Sequence, residues 1–281
     1  MDKNNRPINV TEGQSGSYLR VYKYPDLAPV IGYTHPVYGQ AGVEASLDDY
    51  LRGLQGNPTS LVLWNQLIYG TPPPGLDIRL SIDLTLQAEA DRLLGSHRGA
   101  IILMNAQTGE IIVMASHPTF DPNELDEIGQ ALVRDENAPL LNRATQGLYP
   151  IGTAIQPLVL AEFGEGEPGA TKLDQLYERL GFYEAPAINM PVSFDAQGNA
   201  GNLNVSPLQV SLAAAVLSNH GVAPAPRIAT AVNTREQGWV VLPALGQPRE
   251  VTQPEAADEA AVSFNPRRDA LLELRRSGKQ R

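Results

Sequence analysis

The sequence predicts a mixed α/β fold of the α+β type, in which helices cover both faces of a sheet. Apolar and polar residues alternate over 76–82, which is typical of a half-buried strand. Two apolar runs, 100–104 and 111–115, are spaced as the arms of a β-hairpin. Apolar residues recur at helical spacing in four further segments: 84–94, 152–163, 171–180 and 207–219. Because the hairpin arms are apolar at nearly every position, helices should cover the outer face of the sheet as well as its core.

The chain divides at two places where its composition changes. The stiff turn Thr-Pro-Pro-Pro-Gly at 71–75 is the predicted boundary between an N-terminal segment, 1–75, and a main domain, 76–246. From 247 the chain is rich in Pro, Glu and Ala and then in basic residues. This final segment, 247–281, carries little apolar surface, so we expect it to be mobile.

One short helix is predicted inside the N-terminal segment. It covers 44–54 and carries Val43, Leu47, Tyr50 and Leu54 on one face. We interpret that face as a packing surface without a chemical role.

Local signals define the ends of the central elements. Asp83 can cap the helix that follows the 76–82 strand, and Gly95 can end it. Gly109 can adopt the positive φ that the hairpin turn requires. We predict one sheet made of the 76–82 strand, the 100–115 hairpin and strands within 226–242. The helices should pack on that sheet through four residues: Leu93, Leu94, Leu212 and Val216.

The remaining predicted helices begin with polar residues. Thr171 should start one helix, which Gly181 ends. Ser206 and Gln209 form a predicted capping box, with Pro207 at the first helical position.

Residues 141–164 hold the candidate site. Gly152 opens a helix that carries Ile155, Leu158, Val159 and Phe163 on one side. Thr153 falls in its first turn and Gln156 lies three positions further on. Residues at that spacing share a face, so both side chains can point into the same space, as a nucleophile and its activating neighbour do.

Composition excludes several other classes of function. With 21 basic and 31 acidic residues the net charge is −10, which disfavours nucleic acid or an anionic membrane as the main partner. The chain has no cysteine, so thiolate catalysis and thiolate metal sites are excluded. The histidines lack metal-motif spacing, and we expect structural or surface roles for all of them: His35, His97, His117 and His220. No cofactor is predicted, and the polar N-terminus shows no signal peptide or membrane anchor.

Several motifs resemble those of class B penicillin-binding proteins, the transpeptidases that cross-link peptidoglycan. The residues around the candidate site, Asn142-Arg143-Ala144, Gly147, Tyr149-Pro150, Gly152 and Pro157, match the surroundings of that family's catalytic serine. Matching segments elsewhere are 29–53, 77–94, 108–123, 181–191 and 206–221. The resemblance implies a shortened transpeptidase domain of the penicillin-binding-protein and β-lactamase-like fold, with 1–75 as its pedestal.

The resemblance also identifies what the chain lacks. The family uses a serine nucleophile and a lysine base in S-x-x-K, and those two positions hold Thr153 and Gln156 here. Only 53 positions separate Thr153 from Ser206, far fewer than in the family, and this span contains no S-x-N motif. Its K-[ST]-G strand is also missing. Two tripeptides near the C-terminus, Ser263-Phe264-Asn265 and Arg276-Ser277-Gly278, resemble these motifs. Both follow the Ser206 helix, and we interpret them as chance matches.

Three functions therefore compete. The leading hypothesis is a catalytically inactive member of the family that acts as a scaffold in cell-wall assembly outside the cytoplasm. The second is a residual penicillin-binding acyl transferase or hydrolase that uses Thr153 as its nucleophile. The third is a module that binds peptidoglycan stem peptides without cutting them. Cell-wall synthesis proteins or stem peptides are the expected partners, in elongation or in cell division.

Overall fold

The computed structural model describes residues 1–14, 17–70 and 72–264. In this part of the chain the strands are β1 Asn9–Gln14, β2 Ser17–Tyr22, β3 Thr34–His35, β4 Gly39–Gln40, β5 Asp77–Leu80, β6 Gly99–Met104, β7 Ile111–His117, β8 Tyr149–Pro150, β9 Asn204–Val205, β10 Val222–Ala223, β11 Ala229–Thr234, β12 Gly238–Val241 and β13 Arg249–Glu250. The α-helices are α1 Ala28–Ile31, α2 Gly42–Ser46, α3 Asp48–Leu51, α4 Thr59–Trp64, α5 Leu84–Leu94, α6 Leu125–Arg134, α7 Gln156–Phe163, α8 Ala170–Arg179, α9 Pro207–Ser218 and α10 Pro254–Phe264. The mixed α/β fold is confirmed.

The central sheet consists of two pieces that lie side by side. β5, β11 and β12 form a three-stranded antiparallel sheet with β11 in the middle, while β6 and β7 form the predicted hairpin. A parallel bridge joins the two pieces, where the Ile111 amide donates to the Arg227 carbonyl and the Arg227 amide donates to the Gly109 carbonyl, both at 2.9 Å. The predicted strands are therefore present, but a bridge replaces the continuous ladder between hairpin and sheet.

Helices pack on both faces of the hairpin, as predicted. Val113 and Ala115 of β7 point to one face, where they contact Ala90 and Leu94 of α5. Met114, between them in sequence, points to the opposite face and joins the main core. This alternation follows from the period-two geometry of a strand.

Two hydrophobic cores stabilise the molecule. The first lies between the sheet, the N-terminal segment and α9, and it contains Leu27, Val43, Ile82, Met114 and Leu212. It thus takes residues from both sides of the predicted boundary at 71–75, of which Thr71 lies outside the described residues. The second core lies among helices α7, α8 and α9 and holds the candidate site in place, with Leu158, Leu176 and Val216 at its centre.

Several predicted packing residues lie elsewhere. Leu93 is 62% exposed, because the inward face of α5 is formed by Ala90 and Leu94. Val216 packs among helices rather than on the sheet, since α9 is buried on more than one side. The helix predicted at 44–54 is two short helices, α2 and α3, that meet at Leu47, and it leaves Leu54 exposed.

The prediction of a mobile segment from 247 is wrong for residues 249–264. β13 pairs with β10, Val251 is buried, and α10 packs on α7 and α9. Ala257 and Ala260 form a narrow buried stripe on α10. Small side chains let helices approach closely, so this helix packs well although it offers little apolar area. The rest of the predicted tail, 265–281, lies outside the described residues.

Candidate active site

The candidate site is held by short strand pairing. Tyr149 and Pro150 of β8 pair with Val205 and Asn204 of β9. The Ile151 amide then donates to the Leu203 carbonyl at 3.2 Å, which extends the pairing by one residue. This pairing places the start of the helix directly beside the residues that lead into α9.

The helix begins at Gly152, as predicted, but its first turn is a 3₁₀ turn. Residues Gly152–Ile155 form this turn and α7 follows from Gln156. Gly152 has φ +52° and an added Cβ would meet no atom within 4 Å, so glycine serves backbone conformation here. Ile155, Leu158 and Val159 are buried in the helical core and fix the orientation of the segment.

Thr153 and Gln156 are both exposed to solvent at the start of the helix. Neither side chain forms a hydrogen bond with another described residue, and they do not bond to each other. The backbone amide of Gln156 donates to the Thr153 carbonyl, which is part of the 3₁₀ turn. The structure thus places the two residues where they were predicted, without the hydrogen bond that links a nucleophile to its base.

In this arrangement no described side chain is hydrogen-bonded to the Thr153 hydroxyl as a general base would be. The amide of Gln156 has no useful basicity, and removal of a general base costs roughly 10²–10⁴ in rate. An exposed hydroxyl also lies in a high-dielectric environment, where hydrogen-bond donors stabilise an oxyanion less than they do in a site that excludes water.

The polar residues that precede the site have structural partners. Arg143 donates through its guanidinium to the carbonyls of Asn137 and Ala138, at 2.5 and 3.0 Å. Asn142 accepts from the Ala144 amide at 3.0 Å, which closes a tight turn. These contacts shape the loop that leads to β8 and leave neither side chain free for chemistry.

Ser206 and Gln209 form the predicted capping box of α9, and both are buried. The Gln209 side-chain amide also donates to the carbonyls of Phe182 and Gly181, at 3.1 and 3.3 Å. Ser206 therefore caps a helix and does not supply the hydroxyl of a proton shuttle. The chance match to S-x-N extends to Asn265, which lies outside the described residues. Arg276-Ser277-Gly278 also lies outside them.

Sequence reasoning missed a buried polar network around Asp91. Its carboxylate accepts from the Tyr24 hydroxyl at 3.1 Å and lies 3.1 Å from His117 Nε2. Burial raises the pKa of Asp91, while hydrogen bonds from His117 and Tyr24 act in the opposite direction. The network lies between the N-terminal segment, α5 and β7, away from Thr153. No local sequence pattern indicates this network, since its members are distant along the chain.

The described ranges hold no candidate metal cluster. Among those residues, no cluster of three or more His, Cys, Asp or Glu side chains could hold a metal ion. Nor does any helix there combine the length and apolarity needed to cross a membrane.

Two family models match parts of the chain. Residues 5–78 match the penicillin binding protein A dimerisation domain, and residues 99–162 match the penicillin binding protein transpeptidase domain. The second range ends within α7 and includes both Thr153 and Gln156.

Characterised relatives are similar over about half of the chain. The peptidoglycan D,D-transpeptidase MrdA of Escherichia coli K12 is 37% identical over 137 residues, which is 45% of this chain and 21% of MrdA. The peptidoglycan D,D-transpeptidase PbpA of Mycolicibacterium smegmatis is 32% identical over 158 residues, or 51% of this chain and 32% of PbpA. The matched region thus spans about a fifth of the length of MrdA.

Solved structures share the fold over nearly the whole chain. Penicillin-binding protein A of Mycobacterium tuberculosis superposes with a TM-score of 0.78 at 19% identity, covering 92% of this chain and 78% of that one. The D,D-transpeptidase domain of a peptidoglycan glycosyltransferase from Eggerthella lenta gives 0.74 at 17% identity, covering 93% and 80%. At these identities the superpositions establish the fold and leave activity to be argued from the site.

Proposed function

Since this chain belongs to the penicillin-binding-protein transpeptidase family, we propose that it acts in peptidoglycan assembly as a scaffold or binding module without transpeptidase activity. Its expected partners are peptidoglycan stem peptides or other cell-wall synthesis proteins, on the extracytoplasmic side of the envelope. The family relationship supports the process, and the residues at the catalytic positions support the loss of chemistry.

One observation carries the proposal. Thr153 and Gln156 align, through the sequence resemblance, with the family's nucleophile and base, and both side chains are exposed and unbonded to any described residue. A nucleophile and its base act as a unit, so the loss of the base removes most of the benefit of the nucleophile. In the family, S-x-N supplies the proton shuttle and K-[ST]-G binds the substrate carboxylate, and the expected positions of both motifs lack them here.

The test is covalent labelling by a fluorescent penicillin, followed by intact-protein mass spectrometry. We expect no adduct with this chain, while penicillin-binding protein A of Mycobacterium tuberculosis, which forms an acyl-enzyme with penicillin G, is labelled in parallel. An adduct located at Thr153 would establish the competing function, a residual acyl transferase, because Thr153 is accessible to a soluble β-lactam.

Binding without chemistry requires a separate measurement. If the fold retains a stem-peptide groove beside α7, calorimetry with soluble muropeptides should show saturable binding. Thr153→Trp places a bulky side chain on an exposed position and should abolish that binding without unfolding the chain. Absence of binding in the parent chain would leave a protein scaffold as the proposed role.

A further inference from the structure

The hairpin strand β6, Gly99–Met104, has one side that no described residue covers. It pairs with β7 along one edge, and no hydrogen bond from another described residue reaches the backbone of its other edge. Both of its faces are packed, since Ala100 and Ile102 contact the main core while Ile101 packs beside α5. The open part of β6 is therefore its outer edge.

The backbone geometry identifies the residues that face this edge. In an antiparallel pair, residues directly opposite each other either bond to each other or both turn their backbone groups outward. Met114 lies opposite Ile102, and its amide and carbonyl bond to the Gln87 side chain at 2.9 and 3.1 Å. The backbone groups of Ile102 therefore point to the open edge. Because directions alternate along a strand, those of Ala100 and Met104 do the same.

The outer edge of the partner strand, β7, is covered at several points. Besides the bonds from Gln87, the Asp83 amide donates to the Ile112 carbonyl and the Ile111 amide donates to the Arg227 carbonyl, both at 2.9 Å. The fold thus satisfies the backbone groups on one side of the hairpin. Those on the β6 side are left to water or to a partner.

The sequence of β6 is typical of an interior strand. It reads Gly-Ala-Ile-Ile-Leu-Met, with no charged residue and no proline. The neighbouring β7 is buried at all but one position, whereas every residue of β6 is partly exposed and Leu103 is 46% exposed. Proteins protect an edge strand with lysine, proline or a bulge, and the bulge in this hairpin lies on β7, at Ile112. The edge of β6 thus has none of these protections.

We propose that the edge of β6 is a docking site for an extended strand of a different polypeptide, which adds to the sheet through main-chain hydrogen bonds. Ala100, Ile102 and Met104 each offer one donor and one acceptor, at a repeat of about 7 Å. An extended backbone presents donors and acceptors at the same repeat, which is the basis of β-strand addition. Since β6 carries no charge, the partner strand should carry apolar or uncharged side chains.

Other occupants fit this edge less well. A second copy of this chain would bring together two net charges of −10, which oppose association. The chain's own residues 265–281 are rich in charged side chains and lack the alternation of a strand. A lipid surface offers no partners to backbone amides and carbonyls. A strand from another protein satisfies both the polar backbone and the apolar side chains.

This inference specifies the kind of partner for the proposed scaffold role, and it rests on that role for its place in peptidoglycan assembly. Penicillin labelling at Thr153 does not involve β6. An adduct there would overturn the proposed function and leave the edge of β6 open, while a covered edge would overturn this inference and leave Thr153 unlabelled. The two failures are therefore distinguishable.

The first experiment is amide hydrogen exchange of the full chain, followed by NMR. The amides of Ile102 and Met104 should exchange at least about a hundred-fold faster than those of Ile101 and Leu103, whose backbone groups face β7. Equally slow exchange at all four amides would show that the edge is already covered, and would overturn the proposal.

The second experiment compares two substitutions of Ala100. Ala100→Pro removes a donor from the open edge without removing a bond to β7. Ala100→Val is the matched control, because it keeps the amide and favours a strand. The probe is a phage-displayed library of random heptapeptides, selected on the parent chain. We expect synthetic copies of the selected peptides to bind the parent and Ala100→Val equally, and Ala100→Pro at least about tenfold more weakly.

Binding at the edge should also slow the exchange of the Ile102 and Met104 amides. If Ala100→Pro does not fold, as judged by its unfolding transition, the same peptides N-methylated at alternate residues test the main-chain bonds instead and should not bind the parent. A library that yields no binder, equal binding by folded Ala100→Pro, or binding that leaves both amides unprotected overturns the proposal. Self-association of the parent that Ala100→Pro abolishes would identify a second copy as the occupant, and the proposal would be wrong.

Discussion

His117 Nε2 lies 3.1 Å from Asp91 Oδ1, and both side chains are buried beneath the N-terminal segment. The other ring nitrogen, Nδ1, lies 3.0 Å from the Gly95 carbonyl, which can only accept a hydrogen bond. Nδ1 therefore carries a proton. The Asp91 carboxylate also accepts from Tyr24 and from the Gln87 amide, so one carboxylate connects three parts of the chain.

Removal of His117 should destabilise the domain far more than removal of an exposed histidine. His117→Ala removes one hydrogen-bond partner of the buried Asp91 side chain, and leaving a buried polar group without a partner costs about 1–3 kcal/mol. His97 is exposed and contacts only a local carbonyl, so His97→Ala should change the free energy of unfolding by less than about 0.5 kcal/mol. Urea unfolding of both variants measures the difference. Equal effects would show that the buried network adds no stability.

Sequence reasoning succeeded where structure is local. The Asp83 cap, the hairpin turn at Gly109 and the Ser206 capping box each depend on a few neighbouring residues, and all three are confirmed. It failed where distant segments meet. Asp91 and His117 are 26 positions apart, and nothing in either local sequence pairs them. The packing of α10 was missed for the same reason, because its two buried alanines stabilise it only through contact with α7 and α9.

At the candidate site, too, some features could be predicted from local sequence and others could not. The position of Thr153 at a helix start could be predicted, since Gly152 and the apolar spacing are local signals. The 3₁₀ form of the first turn could not be predicted, because these signals indicate a helix without distinguishing its type. A 3₁₀ turn has three residues per turn instead of 3.6, which changes the angle between side chains along the helix.

Gly109 should be intolerant of any side chain. Its φ is +71°, and a Cβ would lie 1.9 Å from the Ala225 carbonyl oxygen, so Gly109→Ala forces the hairpin away from the segment beside it. Gly238 has a similar φ, +67°, but open space around it. Gly238→Ala should therefore cost only the left-handed backbone penalty of about 1–2 kcal/mol. Gly109→Ala should cost about 1–3 kcal/mol more through overpacking. Denaturant unfolding of both variants checks this, and equal losses would contradict it.

Asp83 should contribute an acid-sensitive part of the stability. A hydrogen bond from Lys3, together with the Thr85 and Leu86 amides, lowers the pKa of Asp83 from 3.8 to about 2 despite some desolvation. A lowered folded-state pKa stabilises the ionised form, so the contribution is complete above pH 3.8 and is lost as the pH falls toward 2. Asp83→Asn keeps the capping oxygen but cannot ionise. The stability gap between parent and variant should be present at neutral pH and shrink below pH 4. A gap that does not change with pH would assign the effect to capping alone.

The last prediction concerns repair of the catalytic positions. Thr153→Ser together with Gln156→Lys restores the family's S-x-x-K by residue type. Both positions are exposed, so the double variant should fold with little change in stability. We nevertheless expect no labelling by fluorescent penicillin over hours. The restored serine has an amine nearby, but no S-x-N lies between it and Ser206 to relay its proton, and the sequence has no K-[ST]-G to hold the β-lactam carboxylate.

The physical reason lies in the exposure of the site. A lysine is a useful base when burial and neighbouring charges lower its pKa, and an exposed ammonium at position 156 would stay protonated at neutral pH. A protonated amine cannot accept the proton of the serine hydroxyl. The S-x-x-K motif needs a neutral lysine as its general base, so the chemistry fails even with a lysine at position 156. Intact mass spectrometry of the double variant decides the matter, with the unfolding transition as a control for folding. Stoichiometric acylation would mean that a proton shuttle and an oxyanion site exist elsewhere in the chain, and the proposed scaffold role would then have to be abandoned.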